Sequence, residues 1–117
     1  MLDRAPRQAT ADAIEHVQLR DGSIPWYPGG RLDAWNMVEA AMGLDAAGRH
    51  GAAEAAYRWL AASQRPDGSW AAAYRDGIVE DATLDANFCA YVAAGVWHHY
   101  VATRDLDFLA WCMPAVD

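Results

Sequence analysis

The sequence has little basic charge. Across 117 residues, 9 Lys+Arg stand against 16 Asp+Glu, for a formal net charge of -7. A nucleic-acid surface needs clustered Lys and Arg, and so does docking on anionic lipid; neither partner is expected. No apolar run approaches the roughly 20 residues of a transmembrane span. Met1 to Arg7 contains no apolar core of a signal peptide, so no secretory signal is expected. There are only two cysteines, Cys89 and Cys112, too few for a disulfide framework. Their scarcity points to a reduced, cytoplasmic setting. No segment alternates cleanly between apolar and polar residues, so no strand is predicted. What the chain does have is alanine and indole: 54% of it is hydrophobic, with 6 Trp and 5 Tyr. That composition fits one globular, helix-rich domain.

The chain repeats itself. Gln18-Leu19-Arg20-Asp21-Gly22-Ser23, with Trp26 close behind, is echoed by Gln64-Arg65-Pro66-Asp67-Gly68-Ser69-Trp70, an offset of 46 residues. The shared pattern is Gln-x-x-Asp-Gly-Ser followed by Trp. Asp-Gly supplies a tight turn, and a Gln amide can bond exposed backbone at a neighbouring helix end. The motif is read as a staple between helices that does no chemistry itself.

Helical periodicity surrounds each copy. The spacing predicts a first helix over Ala11 to Leu19 with Thr10 as cap. A second runs from Asp33, its N-cap, to Ala47, with Gly48 closing it. A third covers Gly51 to Gln64. A loop extends to about Thr83, and a fourth helix spans Asp85 to Thr103. Asp105 caps a fifth, with Pro114 as a breaker. Helices two and four are apolar almost all round, which marks them as an inner layer. Each leaves one narrow stripe: Asn36, Glu39 and Gly43 on the former, Asn87, Tyr91, Gly95 and His98 on the latter. Aligning Asp33 with Asp85 superposes the stripes, so Asn36, Glu39, Asn87, Tyr91 and His98 are expected to face one internal cavity. Helices one and three carry Asp12, Glu15, Glu54 and Arg58 and suit an outer layer.

The Gln64, Asp67, Gly68, Ser69, Trp70 run resembles the QW repeat of the α/α-toroid superfamily of squalene–hopene cyclases and protein prenyltransferase β subunits. Trp26-Tyr27-Pro28-Gly29-Gly30, Val38-Glu39-Ala40-Ala41-Met42 and Gly95-Val96-Trp97-His98-His99-Tyr100 look like segments of bacterial proteins labelled "prenyltransferase". The resemblance implies an all-α, incomplete α/α toroid. It implies a terpenoid-cyclase-like transferase holding an isoprenoid in its central cavity. Five helices fall short of a closed toroid, so residues 1–117 are expected to form the N-terminal part of one. The remaining half, or self-association, would cover the exposed face. A second resemblance runs from Asp85 to Val116, where His98-His99-Tyr100, Thr103, Asp105, Phe108-Leu109 and Met113-Pro114 look like a hairpin of the six-hairpin glycosidases. It implies a carbohydrate substrate. A non-catalytic scaffold or lipid-binding toroid is the third reading.

Chemistry narrows to few residues. No Asp-x-Asp-Asp occurs, so cyclase acid chemistry is unsupported. Phe88 stands where prenyltransferases carry a zinc-binding His. Cys89 and His98 are nine residues apart, on opposite helix faces. No metal site and no cofactor are therefore expected. Glu39, a carboxylate within the most apolar helix, is the candidate general acid, because burial favours its protonated form. Arg31 is its possible ion-pair partner in a purely structural role. Trp26 and Tyr27, in a Pro/Gly loop, would rim the cavity and contact a prenyl chain or a sugar face. Trp26, Tyr27, Asn36, Asn87, Tyr91 and His98 form the expected substrate-binding set.

Overall fold

The computed structural model describes residues 4–116. Within them the order is α1 (Arg4–Val17), α2 (Ala34–Ala46), α3 (His50–Ser63), β1 (Ala71–Arg75), β2 (Ile78–Leu84), α4 (Ala86–Thr103) and α5 (Leu106–Val116). Three short acidic caps set the helix starts. Asp33 Oδ1 accepts from the Asn36 amide at 2.8 Å, Asp85 Oδ1 from Asn87 at 3.0 Å and Asp105 Oδ1 from Phe108 at 3.0 Å. Gly48, at φ +81°, closes α2 in the left-handed region. Two expected boundaries move. Thr10 does not open α1 but lies inside it, its Oγ1 donating to the Pro6 carbonyl at 3.0 Å. Pro6 fits because first-turn amides have no partner within the helix. Pro114 does not break α5, which runs through it to Val116.

The expectation of no strand is corrected by the β1–β2 hairpin. Asp76 and Gly77 both have positive φ, 51° and 77°, as a two-residue hairpin turn demands. The register slips twice, between Ala71 and Ala73 and between Ala73 and Tyr74. Those irregularities erase the period of two by which a strand is recognised. The hairpin docks through Tyr74, whose amide and carbonyl exchange bonds with Leu32 at 2.9 and 2.8 Å.

Apart from this hairpin the protein is all-α, in two layers. α2 and α4 lie side by side, with α1 packed on α2, α3 on both, and α5 on α4 beside α3. At their approach, a Cβ on Gly95 would stand 2.5 Å from Val38 Cγ1 and 2.9 Å from Tyr57 Oη. Gly95 is therefore a packing residue rather than part of a cavity wall. Met37, Val38, Leu44, Tyr57, Leu60 and Trp70 form the centre of the core. Each stabilises by about 1.5–3 kcal/mol through loss of apolar surface from water. The inner helices are not sealed all round: α4 leaves Trp97 60% and Val101 45% exposed. Arg49, between α2 and α3, fastens α1 by bonding Asp12, Glu15 and Gln8. No helix among the described residues is long and apolar enough to cross a membrane.

Candidate functional site: a groove on the N-terminal half of helix α2

Two loops are built alike, and the first of them leads into the site. Gln18 Nε2 donates to Gly22 O at 2.9 Å and to Ala52 O at 3.0 Å; Gln64 Nε2 donates to Gly68 O and Ala115 O, both at 2.9 Å. Asp21 Oδ1 accepts from Ser23 N and Oγ at 2.9 and 2.6 Å; Asp67 Oδ1 accepts from Ser69 N and Oγ at 3.0 and 2.5 Å. Trp70 then enters the core, its Nε1 donating to Leu60 O at 2.8 Å. In the first copy Ile24 follows Ser23 into the core, and Trp26 comes two residues later with 53% of its surface exposed. Trp26 is therefore not the structural counterpart of Trp70.

The displaced indole becomes a wall. The segment from Ile24 to Pro28 passes over α1 and α2 and leaves an open groove of about 490 Å³. Its lining includes Ile14, Val17, Trp26, Tyr27, Asn36 and Ala40. Asp33 organises it. Oδ2 of Asp33 accepts from Trp26 Nε1 at 2.9 Å and from Asn36 Nδ2 at 2.8 Å, while Oδ1 caps the helix. Every donor is met by a buried carboxylate, and such bonds are stronger than neutral ones. Arg31 lies over the Trp26 ring, 5.5 Å from its centroid. Tyr27 opens a turn with Pro28 second and Gly29 third at φ +74°, the type II pattern. Its ring lies across Gly30, where a Cβ would stand 2.8 Å from Cε2. From the hairpin, Arg75 donates to Gly29 O at 2.9 Å and pairs with Glu80 at 3.0 Å, holding this turn.

One residue back along the helix is a second cluster. Trp35 and Tyr91 stack with centroids 4.0 Å apart and planes 13° from parallel. Trp35 Nε1 donates to Glu39 Oε1 at 3.0 Å, and Tyr91 Oη donates to the same oxygen at 3.1 Å. No described residue bonds Oε2. Partial burial, then the bond to Glu39, push the Tyr91 hydroxyl upward, so it remains a donor. Glu39 itself is exposed, which removes the burial argument for its acid role.

The six expected binding residues and Glu39 thus separate into groups. Trp26, Tyr27 and Asn36 line one groove, and Glu39 meets Tyr91 beside it. Arg31 forms an ion pair with Glu80 at 3.8 Å rather than with Glu39. Asn87 is exposed on the first turn of α4, where its amide completes the cap. His98 lies two turns beyond Tyr91, and its buried Nδ1 has no partner among the described residues. The expected single internal cavity is therefore an open surface running across α2 toward α4. Three features escaped the sequence. Asp33 was legible as a cap but not as the anchor of Trp26. Trp35 was lost among the other indoles. Asp45, fully buried, accepts from His99 and His50 at 2.8 Å each, so His99 rather than His98 ties α4 to α2. Acids such as Asp45 and bases such as His99 in apolar helices are the usable signal, since buried charges are found paired. Burial pushes the Cys112 thiol up to about 11, which disfavours the thiolate, and Cys89 Sγ donates to Gly68 O.

No family model matches the chain. Among characterised proteins the chain is similar to one named as a mannosidase. Over 107 residues, 92% of the chain, the sequence is 50% identical to MMP endo-(1,4)-3-O-methyl-alpha-D-mannosidase of Mycolicibacterium hassiacum. The chain spans 30% of that protein's length. This finding overturns the prenyltransferase resemblance, with its transferase activity and isoprenoid substrate, and favours the glycosidase reading. Both resemblances rested on helical pattern, which does not by itself separate one chemistry from another.

Proposed function

We propose that this chain is a carbohydrate-binding portion of a glycoside hydrolase that acts on α-(1→4)-linked 3-O-methylmannose chains. The 50% identity to the mannosidase carries the reading. The groove supports it, since aromatic walls with a few fixed polar groups suit a sugar ring bearing methyl ethers. Trp26 and Tyr27 supply the faces, and Asn36, held by Asp33, supplies a directed amide. Asn87 and His98 extend the surface along α4. The exposed Trp97 and Val101 side of α4 supports work within a larger helical toroid, where further helices cover it.

Glycoside hydrolysis commonly uses two carboxyl groups. Glu39 is the candidate catalytic carboxyl here, because Oε2 remains open beside the groove while Oε1 is fixed by two donors. Asp33 has both oxygens engaged and acts as a positioning residue. Release of oligosaccharides from 3-O-methylmannose polysaccharide by the whole hydrolase that carries this chain, followed chromatographically, tests the assignment. Glu39→Gln should lower turnover at least about 100-fold at unchanged melting temperature. A well-folded Glu39→Gln protein with full turnover would overturn the role of Glu39. Failure of the unaltered chain to bind the polysaccharide would overturn the substrate class.

A further inference from the structure

We infer that the stacked Trp35–Tyr91 pair is a second sugar-binding subsite, separate from the Trp26–Tyr27 groove, so that the ligand lies across α2 and contacts both. The inference rests on the carbohydrate reading and deepens it by assigning a residue that the groove does not contain. Consecutive helical residues differ by 100° in direction, which places Trp35 and Asn36 on adjoining faces of one helix. Asn36 and Ala40 line the groove, while Trp35 and Glu39 carry the neighbouring cluster. The two surfaces are thus separated by no more than the width of a helix, about 10–12 Å. The two surfaces lie on different faces of the helix, so one pyranose covers only one of them, and contact with both takes at least two linked rings.

The pair is built rather than incidental. An exposed Trp on a helix would ordinarily sample several rotamers. Trp35 is held instead by the Tyr91 ring on one side and by Glu39 at its indole nitrogen. It nevertheless stays 37% exposed, so aromatic surface remains open to solvent. Two donors from two helices converge on one carboxylate oxygen, which fixes both ring planes. A rigid aromatic face carries negative potential and attracts the weakly positive C–H groups of a pyranose. Preorganised rings lose little entropy when a ligand arrives. The first groove takes one sugar edge-on between walls, and the platform takes the next ring on its face.

The test compares the monosaccharide methyl 3-O-methyl-α-D-mannoside with the α-(1→4)-linked 3-O-methylmannose tetrasaccharide, each titrated calorimetrically into the 117-residue chain. Trp35→Ala should weaken tetrasaccharide binding about tenfold and leave monosaccharide binding within about twofold. Trp35→Phe, which keeps an aromatic face, should restore most of the loss and guards against a folding artefact in the alanine variant. Trp26→Ala should weaken both ligands. Equal losses for both ligands in Trp35→Ala, or no loss for the tetrasaccharide, would overturn the second subsite while leaving the carbohydrate reading intact. Binding of neither ligand by the unaltered chain would overturn both.

Discussion

The two Asp-Gly loops share every staple bond and differ in where their tryptophan goes. In the second loop Trp70 follows Ser69 directly and is fully buried against Leu60. In the first, Ile24 occupies that step and the indole emerges two residues later, bonded to Asp33 at the groove. The Gln, Asp, Gly and Ser are thus the conformational unit, and the tryptophan is separable from it. One copy uses its ring for stability, and the other has released it to a surface where it can meet a ligand.

The largest expected effect separates these two uses. Trp70→Ala should destabilise by about 3–5 kcal/mol and Ile24→Ala by about 2–4 kcal/mol, as truncations of buried side chains do. Trp26→Ala should cost about 1 kcal/mol, the scale of its single bond to Asp33. Denaturant midpoints would rank the three, and a Trp26 loss equal to that of Trp70 would break the comparison. Glycine gives a sharper contrast. Gly22 and Gly68 have φ +94° and +86°, so alanine should cost each about 1–2 kcal/mol in backbone strain. A Cβ on Gly22 would also stand 2.2 Å from Ala55 O, whereas at Gly68 the nearest atom is 3.9 Å away. Gly22→Ala should therefore destabilise clearly more than Gly68→Ala in the same thermal melts.

The smallest effect is a pH dependence. Bonds from the Ser69 hydroxyl and then its amide hold the Asp67 carboxyl below the usual carboxylate range. A lowered folded value means the contribution is complete above the unfolded value, near 4, and fades as pH falls through the folded one. Asp67→Asn should flatten the acid limb of the stability curve slightly without moving its neutral value far. An unchanged acid limb would show that the loop does not sense its carboxylate.

The helical layers were legible because their signals are local. Asp33, Asp85 and Asp105 cap the helices that their positions predict, and the polar outer faces against apolar inner helices gave the order of layers. The hairpin was hidden because Ala71-Ala72-Ala73 offers no contrast between its faces, although Asp76-Gly77 is a strong turn signal. The meeting of Glu39 with Tyr91 followed from aligning two helices at their caps, and the structure brings those side chains together. The single cavity did not follow, because helical phase says nothing of what covers a face. Substrate class was beyond the helical pattern, since an aromatic, weakly polar surface serves an isoprenoid and a sugar alike.

Asp33 gives the groove a thermodynamic property. The same carboxylate that starts α2 also holds the Trp26 indole and the Asn36 amide side chain. Fraying of the first turn and loosening of the groove walls are consequently one event. A ligand that needs those walls in place binds the closed turn alone and is linked to its opening equilibrium by mass action. At one hundred times its dissociation constant it would suppress that opening by about 2.7 kcal/mol. Amide hydrogen exchange at Asn36 would then slow about a hundredfold, making an ordinary helix cap a reporter of occupancy.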